Sequence, residues 1–542
     1  MRLNARGRFL ALAGRIIELA LPAAAIFYLL QLLLLALSRL LYPYELEWME
    51  GAVVDHVRRV LAGQPLYVEP SLEFTSFIYP PFYYYLSALV SLLTGVGFFP
   101  LRLVSFAAST GCLILIYRYA GRETGSPRLG LVSAGLYAAC FELGGGWLDV
   151  ARIDCLFVFL LLLAAYLLRF HKGAGAAAAA GGVFALAALT KQPALLVAAV
   201  SALFCFLFRG VRPGAAFAAA FTVIFGGATA ALRLSSDGWY GYYIFELPAQ
   251  HPLFPVMLTR FWTHDLGHAL PVVAVTLTGH LFSGLRALRT LSSEERDALL
   301  FRLFFLAAML GAAWSSRIHF GGASNVLLPA VAGLALCWGA ALQRPLPRFW
   351  RRPWTGNGSR KQSHGEIPPW DTRIRLGVNA LALLQLGWLF YNPADYLPTA
   401  ADRRAGEQFV RALARFPGEV YTPEHGYLPA LAGKKTYSHY AVLWDILRAD
   451  DNPIRRGLEQ RISAAFRAKR FAAVVLQAPA LTHPLLIKHI RMNYRYHGPL
   501  LPGETRFWHI NGNDPALERN PDLFLPLKQA PAAPRSGAGQ GR

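Results

Sequence analysis

Apolar residues run in long blocks along the chain, separated by short polar segments rich in Lys and Arg. The first block, Leu19–Leu37, is long enough to cross a bilayer, which takes roughly 20 such residues. It is too long for a signal-peptide core, and no small-residue cleavage site follows it, so it reads as a retained helix. Further helices are predicted over Leu103–Tyr117, Leu129–Trp147, Ile153–Leu168, Ala176–Leu189, Pro193–Phe208 and Ala215–Leu232. Four more follow over Ala269–Phe282, Leu299–Trp314, Val326–Leu342 and Leu376–Phe390. The pattern predicts an all-α polytopic membrane protein of about 11 transmembrane helices.

The polar segments set the orientation. Arg2, Arg6, Arg8 and Arg15 place the N-terminus in the cytoplasm under the positive-inside rule. The basic segments Arg118–Arg128, Arg169–Lys172, Arg209–Arg212, Arg286–Arg296 and Arg344–Arg375 belong on the same side. That parity holds only if the apolar stretch Pro81–Gly95, about 15 residues long, does not cross the bilayer. Its Tyr79, Tyr83, Tyr84 and Tyr85 suit the headgroup region, so it is predicted to be interfacial or re-entrant. The outside face then holds the loop Tyr42–Pro100, the loop Trp147–Ile153, the turn Thr190–Pro193, the segment Ser235–His268, the turn Ser315–Ser324 and everything after Tyr391.

That last region is more polar. Arg403–Phe416 has helical periodicity, while Gly418–Tyr421 and Phe471–Gln477 read as strands. The organisation expected is a transmembrane module over residues 1–390, a small C-terminal α/β extracytoplasmic domain over 391–528 and a disordered tail over 529–542.

Composition agrees. The chain is 55% apolar and 16% charged, with a mean hydropathy of +0.35. Soluble chains carry about 25% charged residues. A net charge of +21 would suggest nucleic acid in a soluble protein, but the basic residues sit between apolar blocks and no nucleic-acid motif accompanies them. Cys112, Cys140, Cys155, Cys205 and Cys337 all lie in or beside apolar blocks, so neither disulfides nor a zinc site is expected in the C-terminal region.

The candidate chemistry lies at the outside ends of helices. The first outside loop carries Glu45, Glu47 and Glu50 within six residues. A helical turn would put Glu47 and Glu50 on one face. The second carries Arg152 and Asp154, the latter leading straight into an apolar run, where a carboxylate usually has a partner or a task. Lys191, in the turn Thr190-Lys191-Gln192-Pro193, departs from the positive-inside pattern. Arg317 and His319 occupy a glycine-bearing turn before Asn325 that allows a close ligand approach. The aromatic segment Trp239–His268 carries His251, Arg260 and Asp265.

Taken in order, Glu50-Gly51, Arg58-Arg59-Val60-Leu61-Ala62-Gly63, Tyr79-Pro80-Pro81-Phe82-Tyr83-Tyr84-Tyr85-Leu86, Arg102-Leu103, Arg152 with Asp154, and Lys191 resemble the N-terminal module of family 39-type GT-C glycosyltransferases. That set includes the protein O-mannosyltransferases and the lipid A aminoarabinose transferases. The resemblance covers roughly residues 20–210. Two departures stand out. The relatives' Asp-Glu pair is replaced by Glu47 and Glu50, two residues apart, and the Lys that many relatives have before the Pro-Pro pair is Tyr79 here, which removes a phosphate contact.

The resemblance implies an inverting transfer from a polyprenyl-phosphate sugar to an extracytoplasmic lipid, glycan or protein. The expected seat is the periplasmic side of a bacterial inner membrane. On this reading Glu50 is the first choice for base, with Glu47 beside it. Lys191, Arg102 and Arg317 are the cations available to the donor phosphate, and Arg152, Tyr79, His319 and His251 would line the substrate site. Asp154 would orient the acceptor, hold a divalent cation or pair with Arg152. A transporter or flippase, or a noncatalytic glycan-assembly factor, is the alternative. A transporter should show mid-helix charges and internal repeats, and neither is visible.

Overall fold

The computed structural model describes residues 5–343, 369–477, 479, 482–503, 505–507, 510–511 and 520–527. The predicted tail from residue 529, and residues 344–368 of the last basic loop, lie outside the described residues. The chain divides into two compact units.

The first unit comprises Met1–Val68, Phe77–Pro398 and Ile510–Gly512. Its helices begin with α1 (Ala5–Leu40), α2 (Glu50–Leu61), α3 (Phe82–Thr94), α4 (Phe98–Thr124), α5 (Pro127–Ala139) and α6 (Asp154–Phe170). Shorter apolar helices over Ala174–Ala188 and Ala194–Phe204 follow, then Pro271–Arg286, Ser293–Arg317 and Leu328–Gln343. Among the described residues five helices are long and apolar enough to cross a membrane, or up to seven if each of two bent pairs counts as one span. The polytopic helical class holds. The figure of about 11 spans stays an expectation, because several of the predicted segments form helices of 17 residues or fewer, such as α5 and α6.

α3 has 13 residues. At 1.5 Å per residue it reaches about 20 Å, short of the roughly 30 Å hydrocarbon core. The predicted helix Leu129–Trp147 stops at Ala139, and the chain turns through Gly144-Gly145-Gly146. Gly145 and Gly146 have φ of 76° and 75°, a region open to glycine at little cost. A Cβ on Gly146 would come within 3.0 Å of the Tyr396 ring, so the turn needs both the angle and the space.

The second unit comprises Glu69–Ser76, Thr399–His509 and Asn513–Arg542. Its helix Ala400–Ala414 opens on a capping box in which Thr399 and Asp402 satisfy each other's backbone N–H groups. The sheet has the order β1-β2-β4-β3, with β1 Val420–Tyr421, β2 Ala473–Leu476, β3 Tyr494–Pro499 and β4 Asp522–Pro526. β1 and β2 are parallel, while β4 runs antiparallel to both β2 and β3. This is the predicted α/β region. Eight residues from the first predicted outside loop complete it. Ser438 N–H donates to the Leu72 carbonyl at 2.9 Å, Arg461 pairs with Glu69 at 2.5 Å and Arg470 pairs with Glu73.

Candidate active site

The first unit gathers four buried ion pairs at the end of the bundle where α4 and α6 begin. Each answers the same constraint: a charge removed from water needs a partner and further hydrogen bonds. Arg102, on the first turn of α4, donates through Nε to Glu50 Oε1 at 2.9 Å and through a terminal nitrogen to Oε2 at 2.6 Å. The Leu46 and Ala151 N–H groups each donate to the same carboxylate at 2.6 Å. Glu50 therefore accepts four hydrogen bonds with no exposed surface, and both oxygens are fully engaged. Arg102 spends its remaining donors on the Tyr42 and Tyr44 carbonyls at 2.6 Å each. A second pair, Arg39 with Asp149, is held by Nε at 2.8 Å and by the Asn511 side chain at 2.5 Å.

Glu47 is held differently. The expectation that it shares a helical face with Glu50 fails, because α2 starts at Glu50 and Glu47 lies in the turn before it. Its carboxylate accepts from the Met49 N–H at 3.0 Å and from Arg152 at 3.2 and 3.3 Å. Burial pushes its pKa up to about 7. Arg152 opposes that shift, and the nearby charges of Glu50 and Asp154 add to it. Arg152 stacks on the Trp147 ring at 4.6 Å.

Asp154 opens α6 and does not pair with Arg152. Its Oδ1 accepts from Lys191 Nζ at 2.6 Å and from Asn325 Nδ2 at 2.9 Å. Its Oδ2 is buried and has no hydrogen-bond partner among the described residues. Lys191 stands 5.9 Å from both the Tyr79 and Phe157 ring centres. The Lys191 turn is tied to the first loop, since Gln192 Nε2 donates to the Ile78 carbonyl and Phe82 N–H donates to the Leu189 carbonyl. His56 on α2 secures the other side of that segment: its Nδ1 bonds the Ala52 carbonyl at 2.7 Å and its Nε2 accepts the Phe77 N–H at 3.0 Å. Burial lowers the His56 pKa to about 4, so the ring is neutral at pH 7.

Of the residues singled out in sequence, Glu47, Arg152, Asp154, Lys191 and Tyr79 form one cluster, with Glu50 and Arg102 joined to it through Ala151. Arg317 is engaged elsewhere, with Asp265 at 2.7 Å and the Gly322 carbonyl. His319 bonds the Ser315 carbonyl at 2.7 Å and forms an isolated β-bridge with Leu253, close to the buried His251. Asn325 is the residue of that turn which reaches Asp154, and sequence reading did not single it out, because an Asn carries no spacing signal. Among the described residues no three His, Cys, Asp or Glu side chains are grouped to hold a metal ion. Lys191 engages Oδ1 of Asp154 and leaves Oδ2 unpartnered among the described residues.

Comparison with known proteins bears on the fold. Residues 79–236 match the family model described as Dolichyl-phosphate-mannose-protein mannosyltransferase. The architecture is similar to that of ArnT from Cupriavidus metallidurans bound to undecaprenyl phosphate, with a TM-score of 0.56 at 13% identity, covering 92% of this chain and 97% of that one. The chain has the GT-C fold. The same ArnT in its apo state gives a TM-score of 0.55 at 13% identity, again over 92% and 97% of the two chains. The archaeal oligosaccharyltransferase AglB from Archaeoglobus fulgidus, in complex with an inhibitory peptide and a dolichol-phosphate, gives 0.50 at 13% identity over 87% of this chain and 73% of that one. No curated protein sequence matches the chain. The GT-C resemblance read from residues 20–210 thus extends, at the level of fold, over most of the chain.

Proposed function

We propose that this GT-C protein transfers a sugar from a polyprenyl-phosphate donor to an acceptor hydroxyl, with inversion, on the extracytoplasmic face of a bacterial inner membrane. The observation that carries the reading is the cluster itself: a carboxylate with one unpartnered buried oxygen, Asp154, beside a lysine and a second carboxylate of raised pKa, Glu47. Lipid-phosphate ligands in structures of similar fold support the donor class.

Glu47 is the better base than Glu50. A base works best with a pKa near the operating pH and a lone pair to offer. Glu47 meets the first condition at about 7 and has only the long Arg152 contacts and one backbone bond. Glu50 has four short partners and serves as scaffold. In the step proposed, Glu47 takes the acceptor proton and the acceptor oxygen bonds to the anomeric carbon. The bond from that carbon to the phosphate oxygen breaks, and its electron pair leaves with the polyprenyl phosphate. Lys191 meets the phosphate charge in both ground and transition states. Asp154 holds Lys191 in place and offers Oδ2 to a sugar or acceptor hydroxyl.

The test is a panel of polyprenyl-phosphate sugars with purified protein, read as release of polyprenyl phosphate. Glu47→Gln should lower turnover by about 10²–10⁴-fold with donor binding nearly intact. Lys191→Ala should weaken donor binding as well as slow turnover. Full activity in Glu47→Gln removes the base from this residue, and no release from any donor in the wild type removes the transferase reading.

A further inference from the structure

At the opposite end of the same helices lies a second charged cluster. On α4, 21 residues separate Arg102 from Glu123, about 30 Å of helix. Glu123 pairs with Arg169, at the far end of α6, at 2.5 Å, and with Arg302 at 2.5 Å. Arg169 also approaches Asp297 at 3.5 Å, and Asp297 pairs with Arg209 at 3.0 Å. Among the described residues, three guanidinium groups therefore face two carboxylates in these pairs, all largely buried. The Nε of Arg302 is buried without a hydrogen-bond partner among the described residues.

A cavity of about 400 Å³ opens on this cluster. Arg122, Arg169 and Arg302 line it together with Glu123. Arg122 is exposed at its rim and rests on the Phe170 ring at 4.3 Å. Two further acids line the wall, Glu294 and Glu295. Glu295 is engaged in a capping box with Ser292, and Glu294 is exposed to solvent. The apolar part of the wall includes Phe170, Leu291 and Leu299.

We propose that this cavity binds a phosphate group, carried by a membrane-lipid headgroup or by a free anion, on Arg122, Arg169 and Arg302. In the cavity wall the buried Arg169 and Arg302 guanidiniums share the Glu123 carboxylate, and a buried cation without a full counter-charge is costly, so an anion in the cavity would supply one. Guanidinium forks match phosphate oxygens geometrically, which an ammonium does not. The mixed lining suits a group that is polar at one end and apolar at the other. The site is independent of the transfer reaction, because none of its residues belongs to the Glu47–Asp154 cluster.

The test follows the thermal midpoint of the full-length protein, purified in neutral detergent, at fixed ionic strength. Short-chain phosphatidylglycerol or inorganic phosphate is titrated in, with a diacylglycerol of equal chain length as the phosphate-free control. The midpoint should rise saturably with phosphatidylglycerol and not with diacylglycerol. A saturable rise with inorganic phosphate alone would equally support the site and assign it to a free anion. In Arg122→Gln the half-saturating concentration should increase about tenfold. Arg122 is exposed, so this variant decides the matter even if Arg302→Gln does not fold. Lys191→Ala should leave the rise unchanged. No saturable rise with either ligand, equal half-saturation in Arg122→Gln, or loss of the rise in Lys191→Ala would each overturn the proposal, the last by moving the anion to the other end.

Discussion

Helices α4 and α6 carry charge at both ends and balance it differently. Where they begin, the described residues form four carboxylate–cation pairs, Glu50 with Arg102, Glu47 with Arg152, Asp154 with Lys191 and Asp149 with Arg39, and Glu45 is buried in the same loop. Where they end, among the described residues the buried pairs set Glu123 and Asp297 against Arg169, Arg209 and Arg302. In a set where each of these cations has its own carboxylate, reactivity comes from how unevenly the pairs are held. Glu50 has four hydrogen bonds, while Asp154 keeps one oxygen unpartnered. An unbalanced set instead draws in a counter-charge. The first arrangement suits chemistry and the second suits binding.

The largest expected effect breaks a pair at each end. Glu50→Gln and Glu123→Gln each leave a buried arginine without its charged partner, which costs about 3–5 kcal/mol. Both should lower the thermal midpoint strongly. The two ends then separate on kinetics. Glu50→Gln protein that does fold should lose turnover, since Glu50 anchors the Ala151 backbone next to Arg152, whereas folded Glu123→Gln should transfer sugar at the wild-type rate. Equal turnover in the two variants would erase the distinction between the ends.

The helices were legible in the sequence because apolar blocks are a local signal, and so was β2, an apolar run of its own. The acids at helix mouths stood out because carboxylates beside hydrocarbon are rare. Their partners did not. Glu50 and Arg102 are 52 positions apart, and Asp154 and Asn325 are 171 apart, distances at which no periodicity helps. The first choice of Glu50 as base came from the family resemblance, while helical spacing only grouped it with Glu47, and the first helical residue proved to be Glu50 itself. The membership of Glu69–Ser76 in the second unit was equally hidden, since Ser438, which bonds Leu72, lies more than 360 positions away.

The pH dependence of stability offers a finer test, because two buried groups of the first loop act in opposite directions. Glu47 has its folded pKa raised to about 7, so its contribution is fully present below the unfolded value near 4.5 and is lost as pH rises to about 7. His56 has its folded pKa lowered to about 4, so its contribution is present above the unfolded value near 6.5 and is lost as pH falls toward 4. Between pH 4.5 and 6.5 the two slopes, each about 1.4 kcal/mol per pH unit, should nearly cancel. Glu47→Gln should therefore grow more stable with rising pH across that window, and His56→Gln less stable. Denaturation profiles of the three proteins would reveal it, and parallel profiles would show that folding shifts the pKa of neither Glu47 nor His56.

The smallest expected effect concerns Asn325. Its Nδ2 holds Asp154 Oδ1 at 2.9 Å, beside Lys191 at 2.6 Å. Removing it in Asn325→Ala leaves Lys191 as the one donor fixing the carboxylate. A hydrogen bond to a charged group contributes about 1.5 kcal/mol at the low end, or roughly tenfold in rate if it acts on the transition state. Asn325 is a positioning residue on this reading, since it acts on substrate only through Asp154. Turnover should therefore fall about tenfold while the KM for donor changes little, because Lys191 still meets the phosphate. A lower thermal midpoint with unchanged turnover would instead make Asn325 a packing residue, and the distinction between a loosely held Asp154 and a fully engaged Glu50 would then have to rest on Oδ2 alone.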